Sequence, residues 1–133
     1  GENVRDWLYV LDHCDAILTV LENGTVGETY NIGGNNEIKN MDVVETICDI
    51  LDNLIPKSDN ESYKKLIRFV QDRPGHDFRY AIDTTKINSK LGWSATESFE
   101  SGLEKTIQWY INNEHWWKSI LNNTYKQERL GVL

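Results

Sequence analysis

Asp72-Arg73-Pro74-Gly75-His76-Asp77 is the stretch that decides how the middle of this chain folds. An apolar run at 66–70 leads into it and a second run at 80–83 leads out, which predicts a turn between two strands. The proline fixes φ at the first central position of a type II turn, and the glycine accepts the positive φ that the second position requires. We therefore predict a tight Pro-Gly turn with the arginine and the histidine of the stretch at its two corners.

The charged side chains of this turn suggest an anion-binding site. Together with Arg79, the turn could offer a planar guanidinium fork, an imidazole and a backbone N–H to one ligand. The alternative is a solvated surface turn whose arginines pair with Asp72 and Asp77. Because most charged turns are only solvated, the turn by itself favours this alternative.

The composition is typical of a soluble globular chain. Its 133 residues suit one domain, with 39% hydrophobic and 26% charged residues. The net charge of −7 argues against a nucleic-acid or anionic-membrane surface, and no apolar run is long enough to cross a bilayer. Cys14 and Cys48 lie in helical apolar patterns, which predicts reduced core residues of a cytoplasmic protein. No metal-binding spacing is present.

Short strands alternate with helices along the chain, which predicts an α/β fold. The strands are expected at 4–10, 29–32, 66–70 and 80–83, and the helices at 13–22, 41–55, 84–91, 99–113 and 116–121. Four short strands are too few for a full doubly wound sheet, so we expect a small domain that leans on another one. The chain also starts at a glycine and runs straight into a strand, which suggests a piece of a longer protein.

Local signals predict where the helices begin and end. The expected N-caps are Asp12, Asn40, Asp83 and Ser98. Gly24 and Gly92 are expected to stop the helices that precede them, glycine being the usual left-handed residue there. The Gly33-Gly34 pair follows a predicted strand, as phosphate-binding loops do, but it lacks the GxGxxG and GxxxxGK[ST] patterns. A plain turn is therefore the better interpretation of that pair.

The chemistry that the residues suggest is binding rather than catalysis. No catalytic set is visible, since no nucleophile lies beside a candidate base. The positions that could converge on one anion are Arg5, Asn31, Arg73, His76 and Arg79. In open α/β folds ligands bind beyond the carboxyl ends of the strands, which is where Asn31 and Arg73 are expected.

Segments spread along the whole chain carry a family resemblance. They are NVRDWLYV at 3–10, DH at 12–13, GETYNIGG at 27–34, DRPGHDFRYAID at 72–83, LGW at 91–93, WY at 109–110 and WW at 116–117. Together they resemble the C-terminal half of the dTDP-glucose 4,6-dehydratases, which are extended short-chain dehydrogenase/reductase enzymes of nucleotide-sugar metabolism. The resemblance extends to about Lys118, and the RPGHDxRYAID string is its most specific part.

The resemblance implies the small C-terminal substrate domain of such an enzyme, with few short strands, several helices and the Rossmann domain absent. In that family the N-terminal Rossmann domain binds NAD and supplies the catalytic residues. The implied cycle passes hydride from C4 of the hexose to NAD, loses water across C5 and C6, and returns the hydride to C6. This sequence contains none of the catalytic elements, so we assign no catalytic residue and expect the chain alone to be inactive.

The matching motifs also imply a set of substrate-binding residues. Arg5 and Arg73 would grip the diphosphate of a dTDP-sugar, and Asn31 and His76 would complete the nucleotide pocket. Three further residues of the turn would shape it, namely Asp72, Pro74 and Gly75. Arg79 is expected to be structural and to pair with an acidic neighbour.

Further expectations concern organisation and partners. The sugar-nucleotide-binding domain is expected at 1–118 and a C-terminal tail at 119–133. Tyr125 is the one candidate for a tyrosine that the family uses near its C-terminus, although the tail departs from the family pattern. The family dimerises mainly through Rossmann helices, so the full-length enzyme is expected to be a homodimer and this chain a monomer. Neither nucleic acid nor a membrane is expected as a partner.

Two other interpretations stay open at this point. One is a UDP-glucose 4,6-dehydratase or sugar-nucleotide epimerase of the same superfamily, and the other is a non-catalytic nucleotide-binding or interaction module. If the chain is part of a longer enzyme, the surface that faces the missing domain should be unusually apolar for a monomer.

Overall fold

The structure of the protein is a computed structural model, and it describes residues 1–123. Within that range the chain forms one two-stranded antiparallel sheet, one turn of 3-10 helix and five α-helices. In chain order these are β1 Val4–Asp6, α1 Val10–Asn23, β2 Glu37–Lys39, α2 Asn40–Leu54, the 3-10 turn Tyr63–Leu66, α3 Thr85–Leu91, α4 Phe99–Asn112 and α5 Glu114–Asn123. None of the helices in this range combines the length and the apolar content that crossing a bilayer requires.

Strand β1 lies between two partners. On one edge it pairs with β2, with Arg5 opposite Ile38. On the other edge the chain returns from the Pro-Gly turn: the Val4 N–H donates to the Phe78 carbonyl at 2.8 Å, and the Tyr80 N–H donates to the Val4 carbonyl at 3.0 Å. Strand β1, near the start of the chain, is thus hydrogen-bonded directly to the segment that follows the Pro-Gly turn.

Most of the predicted strands are wrong. The segments 29–32, 66–70 and 80–83 form no strand, and the predicted strand 4–10 shortens to Val4–Asp6, the residues that pair with β2. A strand needs a hydrogen-bonded neighbour along its length. Within residues 1–123 the third and fourth apolar runs find none, beyond an isolated bridge at Arg79 just before the last of them. The α/β class with few short strands and several helices is confirmed.

Two predicted helix ends are confirmed. The Ser98 hydroxyl accepts the N–H of Ser101 at 3.2 Å and so caps α4. Gly92 ends α3 in the left-handed conformation at φ 70°, where a side chain would be strained. Gly24 also ends its helix, but with an extended φ of −70°. The space there is restricted instead, because a Cβ on Gly24 would overlap the carbonyl oxygen of Val20.

The other predicted N-caps are wrong. In the structure, the N-cap residues are Tyr9 for α1, Lys39 for α2 and Thr84 for α3. Asn40 is instead the first residue of its helix. Asp83 comes close to a capping role, since its carboxylate accepts the Thr85 N–H at 2.9 Å. Each helix begins within three residues of the prediction, which is the usual uncertainty of an end that is inferred from local sequence.

Asp12 joins α1 to the segment before α4 instead of capping a helix. Its buried carboxylate accepts the Thr96 hydroxyl at 2.6 Å and the Glu97 N–H at 3.0 Å. Burial alone would raise the pKa of Asp12, but these hydrogen bonds outweigh it and the net pKa lies below its usual value. The ionised form of Asp12 therefore ties the first turn of α1 to the segment before α4.

The core is small and lies where α1 meets α3. Ala16, Ile87 and Trp93 are buried there, and the Trp93 indole donates to Asp15 at 3.1 Å. The partly buried residues around them are Leu8, Val20, Tyr30, Ile32, Leu91 and Ala95. Helix α2 packs against α4 and against the 3-10 turn, and Val43 and Cys48 of α2 and Ile107 of α4 are also buried. The prediction of a buried Cys48 is confirmed, whereas Cys14 is exposed.

The outer surface of α1 is strongly apolar. Leu21 is 79% exposed and Leu11 61% exposed, and the same surface carries Val10, Ile17 and Leu18. Ile17 and Leu21 therefore lie on this exposed surface and not in the core. So many exposed aliphatic residues on one helix exceed what a monomer usually shows, and that this surface faces a missing domain stays a prediction.

The C-terminal helices α4 and α5 leave part of their aromatic surface exposed. Tyr110 of α4 and Trp116 of α5 are each about half exposed, although their rings both contact Trp109 edge to face. Helix α5 continues through the predicted domain boundary at 118/119, and that division stays a prediction. Residues 124–133, with Tyr125, lie outside the described part of the chain.

Candidate anion-binding site

The Pro-Gly turn forms where the sequence predicts it. Pro74 and Gly75 are the turn residues, and Gly75 has a φ of 68°. A Cβ at this glycine would meet nothing within 4 Å, so glycine is required there by backbone conformation alone. The turn is exposed, and it continues directly into the segment that pairs with β1.

Arg5 ties β1 to the return arm of the turn. One terminal nitrogen, Nη2, donates to the Asp77 carbonyl at 2.9 Å and lies 2.8 Å from Nε2 of His76. The other, Nη1, donates to the carbonyls of Val4 at 2.6 Å and of Phe78 at 3.4 Å. All four terminal N–H groups are thereby directed at acceptors of the chain itself. Arg5 supplies a positive charge behind the turn, with its donors already engaged.

His76 connects this arginine to a carboxylate. Its Nδ1 lies 2.7 Å from Oδ1 of Asp72, and the His76 side chain is only 19% exposed. A guanidinium can only donate, so Nε2 accepts from Arg5 and Nδ1 carries the proton that Asp72 accepts. The hydrogen bond from His76, followed by that from the Arg73 N–H, lowers the pKa of Asp72 below its usual value.

Of the two arginines assigned to the diphosphate, Arg73 is the one whose side-chain donors are free within residues 1–123. Its backbone N–H is held by Asp72 at 2.8 Å, which fixes the corner of the turn. Within residues 1–123 its guanidinium has no hydrogen-bond or ion-pair partner. The two arginines assigned to the diphosphate thus differ: Arg73 can donate to a ligand at once, whereas Arg5 would have to exchange a contact.

The remaining predicted residues lie apart from the turn. The Arg79 guanidinium donates to Glu37, with Nε at 2.8 Å, so the prediction of a structural ion pair is confirmed. The Asn31 amide donates to the Asp83 carbonyl at 3.4 Å, and among the described residues it shares no hydrogen bond with the turn. The structure brings Arg5, Asp72 and His76 together, with Arg73 beside them, and leaves Asn31 outside this set.

The Gly33-Gly34 loop already holds an anion, which is the carboxylate of Asp6. This carboxylate accepts the N–H of Gly34 at 3.0 Å and the N–H of Asn36 at 2.9 Å. Backbone N–H groups that could cradle a phosphate are thereby used inside the fold. The interpretation of the pair as a structural turn agrees with this geometry.

Sequence reasoning missed Tyr80 as part of the site. The Arg5 guanidinium carbon lies 4.4 Å from the centre of the Tyr80 ring, and the Tyr80 hydroxyl donates to the Asp77 carboxylate. That hydrogen bond, followed by partial burial of the phenol, raises the pKa of Tyr80. The only available sequence signal was the two-residue period of a strand, which relates Tyr80 to Phe78. It does not indicate that Tyr80 contacts Arg5.

Two concave regions lie elsewhere in the described part of the chain. One, of about 600 Å³, is bounded by Gly33, Asp83 and Trp93. The other, of about 760 Å³, is an aromatic groove between Trp7, Trp109 and Trp116. The residues of the Pro-Gly turn line neither of these two regions. Residues 1–123 also contain no cluster of three His, Cys, Asp or Glu side chains that could bind a metal ion.

A family model described as GDP-mannose 4,6 dehydratase matches residues 1–106, which include β1, the glycine loop and the whole turn. The chain belongs to this family. A dTDP-glucose 4,6-dehydratase of Escherichia coli is 57% identical over the whole chain, which spans 37% of that relative's length. The sequence resemblance to dTDP-glucose 4,6-dehydratases is thereby confirmed.

Two solved structures are similar in fold. The dTDP-glucose 4,6-dehydratase from Bacillus anthracis strain Ames, in complex with NAD, is 50% identical with a TM-score of 0.78, and the match covers 90% of this chain and 35% of that one. DesIV, a dTDP-glucose 4,6-dehydratase from Streptomyces venezuelae with NAD and dTDP bound, is 38% identical with a TM-score of 0.79, covering 90% and 34%. The chain therefore spans little more than a third of the proteins it matches.

Proposed function

We propose that this chain is the C-terminal sugar-nucleotide-binding part of a longer dTDP-glucose 4,6-dehydratase. That enzyme converts dTDP-glucose to dTDP-4-keto-6-deoxyglucose, with NAD as the internal hydride carrier. The observation that carries the proposal is the 57% identity of the whole chain to a dTDP-glucose 4,6-dehydratase. The free guanidinium of Arg73, on a turn that Arg5 and His76 hold in place, is consistent with it. In a chain of net charge −7, a local pair of arginines is what an anionic ligand needs.

The turn residues would act in different ways. Arg73 would donate to the diphosphate directly, because charge-assisted bonds from a guanidinium can be bidentate. Arg5 would contribute its charge and exchange its bond to His76 for one to the ligand. Asp72 and the Pro74-Gly75 pair hold the turn in shape. Asn31 would contact the nucleotide from the neighbouring loop, and no residue of this chain is assigned a catalytic role.

NAD would be held by a part of the enzyme outside this chain. Binding a dinucleotide phosphate at a glycine loop requires free backbone N–H groups, and Asp6 occupies those of Gly34 and Asn36. Residues 1–123 therefore do not fit this cofactor, and we derive no reaction step from them. The chain alone would be inactive.

The apolar surface of α1 supports an intramolecular partner. Leu11, Leu18 and Leu21 would be covered if this helix packed against a dinucleotide-binding domain. We further propose that the complete enzyme is a homodimer through that other domain, and that the chain by itself is a monomer. A cytoplasmic location is supported by the free thiols of Cys14 and Cys48.

The test is calorimetric titration of the complete enzyme with dTDP and with UDP. Replacing Arg73 by Ala should weaken dTDP binding by roughly 1.5–3 kcal/mol, the worth of a charge-assisted hydrogen bond. Arg68→Ala is the matched control, because the Arg68 guanidinium already donates to the carbonyls of Lys65 and Ile67. This control should bind dTDP as the unmodified enzyme does.

Three outcomes would contradict the proposal in distinguishable ways. Unchanged dTDP affinity of Arg73→Ala would remove that residue from the site. Tighter binding of UDP than of dTDP would favour the UDP-sugar enzymes of the same superfamily. A parent reading frame without a dinucleotide-binding domain would favour the non-catalytic module.

A further inference from the structure

Tyr80 makes two contacts at the turn that the proposed binding set does not explain. Its ring lies against the Arg5 guanidinium, with 4.4 Å between the guanidinium carbon and the ring centre. Its hydroxyl donates to a carboxylate oxygen of Asp77. The Tyr80 backbone is held as well, because its N–H donates to the Val4 carbonyl at 3.0 Å. A side chain that is 47% exposed is thus fixed at both ends.

The Tyr80 ring limits the orientations that the Arg5 guanidinium can adopt. The Arg5 donors lie in the plane of the guanidinium, where they engage His76 and two carbonyls of the return arm. An aromatic ring at this distance attracts the cation and offers it a supporting surface. If Arg5 exchanges His76 for a phosphate oxygen, the ring keeps the guanidinium in position while its partner changes.

The hydrogen bond from the Tyr80 hydroxyl to Asp77 determines whether this carboxylate is available to the arginines of the turn. Asp77 lies on the return arm, where its carbonyl accepts from Arg5, and its carboxylate would be a natural partner for either arginine. With the Tyr80 hydroxyl bound to it, one of its oxygens is already satisfied by a neutral donor. The positive charges of Arg5 and Arg73 are then left for an external anion.

We propose that Tyr80 is a positioning residue for diphosphate recognition, which orients Arg5 through its ring and withholds Asp77 from the arginines through its hydroxyl. The proposal rests on the proposed function, because it assumes that Arg5 and Arg73 bind the diphosphate. Tyr80 itself does not touch the ligand. The competing explanation is that the ring only packs against the side chain of an arginine and stabilises the fold.

The experiment measures dissociation constants of the complete enzyme for dTDP and for thymidine, which lacks the phosphates. Tyr80→Leu should raise the dissociation constant for dTDP about three- to tenfold, the range expected for a lost cation–π contact, and leave that for thymidine unchanged. Tyr63→Leu is the matched control, because it removes a different tyrosine that lies 5.2 Å from a lysine, remote from the turn. In an Arg5→Ala background, Tyr80→Leu should lose the effect of the ring and keep at most the roughly twofold loss that the released Asp77 causes at Arg73.

A milder variant, Tyr80→Phe, tests the role of the hydroxyl, and it can still be measured if Tyr80→Leu does not fold. Tyr80→Phe keeps the ring and should weaken dTDP binding only about twofold, the size of a weak exposed ion pair formed by the released Asp77. Adding Asp77→Asn should restore the affinity, since the released carboxylate is then neutral.

Each contrary result has a defined meaning. Equal losses for dTDP and thymidine in Tyr80→Leu, or an undiminished effect of Tyr80→Leu in the Arg5→Ala background, would overturn the ring's part of the proposal. A Tyr80→Phe variant that Asp77→Asn does not restore would overturn the hydroxyl's part. If neither Arg5→Ala nor Arg73→Ala changes dTDP affinity, the proposed function fails first and this inference fails with it.

Discussion

The chain has two glycine turns next to β1, and each is held by an aspartate. Asp6 accepts the N–H groups of the Gly33-Gly34 loop, and Asp72 accepts the Arg73 N–H and the His76 ring at the Pro-Gly turn. The first loop is packed closely, since a Cβ at Gly34 would overlap the Trp7 carbonyl oxygen. The second is open, with nothing within 4 Å of a Cβ at Gly75.

The difference separates a structural loop from a candidate binding site. In the Gly33-Gly34 loop, the Asp6 carboxylate accepts the same backbone N–H groups that could bind a phosphate. In the open turn, the carboxylate takes a backbone N–H and an imidazole, so that the Arg73 guanidinium stays free. Two sequences that both look able to bind an anion thus differ in whether their donors are already used.

The largest expected effect comes from crowding the packed loop. Gly34→Ala should lower the free energy of unfolding by about 3 kcal/mol, because the new Cβ meets a backbone oxygen that cannot move aside. Chemical denaturation would measure it. Gly27→Ala is the control, since its Cβ would have open space and the strain is limited to a φ of 86°. Similar losses of unfolding free energy in Gly34→Ala and Gly27→Ala would show that the Gly33-Gly34 loop is not closely packed.

The next effect comes from removing the carboxylate that fills the packed loop. Asp6→Ala should lower the free energy of unfolding by about 2 kcal/mol, because two backbone N–H groups lose a charged acceptor. Asp6→Asn should cost less, since one side-chain oxygen remains to accept. Thermal or denaturant unfolding would compare the two. An Asp6→Ala protein as stable as the unmodified one would contradict the structural role of this loop.

Features with a local cause could be predicted from the sequence. Pro74-Gly75 forms a turn because of the backbone preferences of its own two residues, and Ser98 caps α4 because its hydroxyl reaches an N–H three residues away. Strands depend on a partner elsewhere in the chain, which is why 29–32 was predicted wrongly and the short polar β2 was missed.

The site could be predicted only in part for the same reason. Arg73, His76 and Asp72 are neighbours in sequence, so their association follows from the turn. Asp12 contacts Thr96 across 84 positions of sequence, and its place before an apolar helix looks like that of a cap. Tyr80 and Arg5 likewise meet only because the return arm pairs with β1. No local pattern carries that information.

A smaller effect on stability is expected from the open turn. Gly75→Ala should lower the free energy of unfolding by only about 1 kcal/mol, the cost of placing a side chain at positive φ. The same change should weaken dTDP binding by the complete enzyme, because the turn that presents Arg73 is altered. Denaturation and calorimetry on the same variant would separate the two effects. A large loss of stability would show that the turn is as closely packed as the glycine loop.

The smallest effect concerns the acid titration of Asp72. Its folded pKa is lowered, so the stabilisation it provides is complete above the usual carboxyl pKa and is lost only as the pH falls through the lower folded value. Carbon-detected NMR of the carboxyl group should therefore record a midpoint below the normal range. His76→Ala should move that midpoint upward, because the hydrogen bond from His76 is the main cause. Asp83, whose pKa is lowered by hydrogen bonds from Thr85, should not respond to this variant. A normal midpoint for Asp72 in the unmodified protein would mean that the open turn is held by its backbone alone, without the imidazole that links it to Arg5.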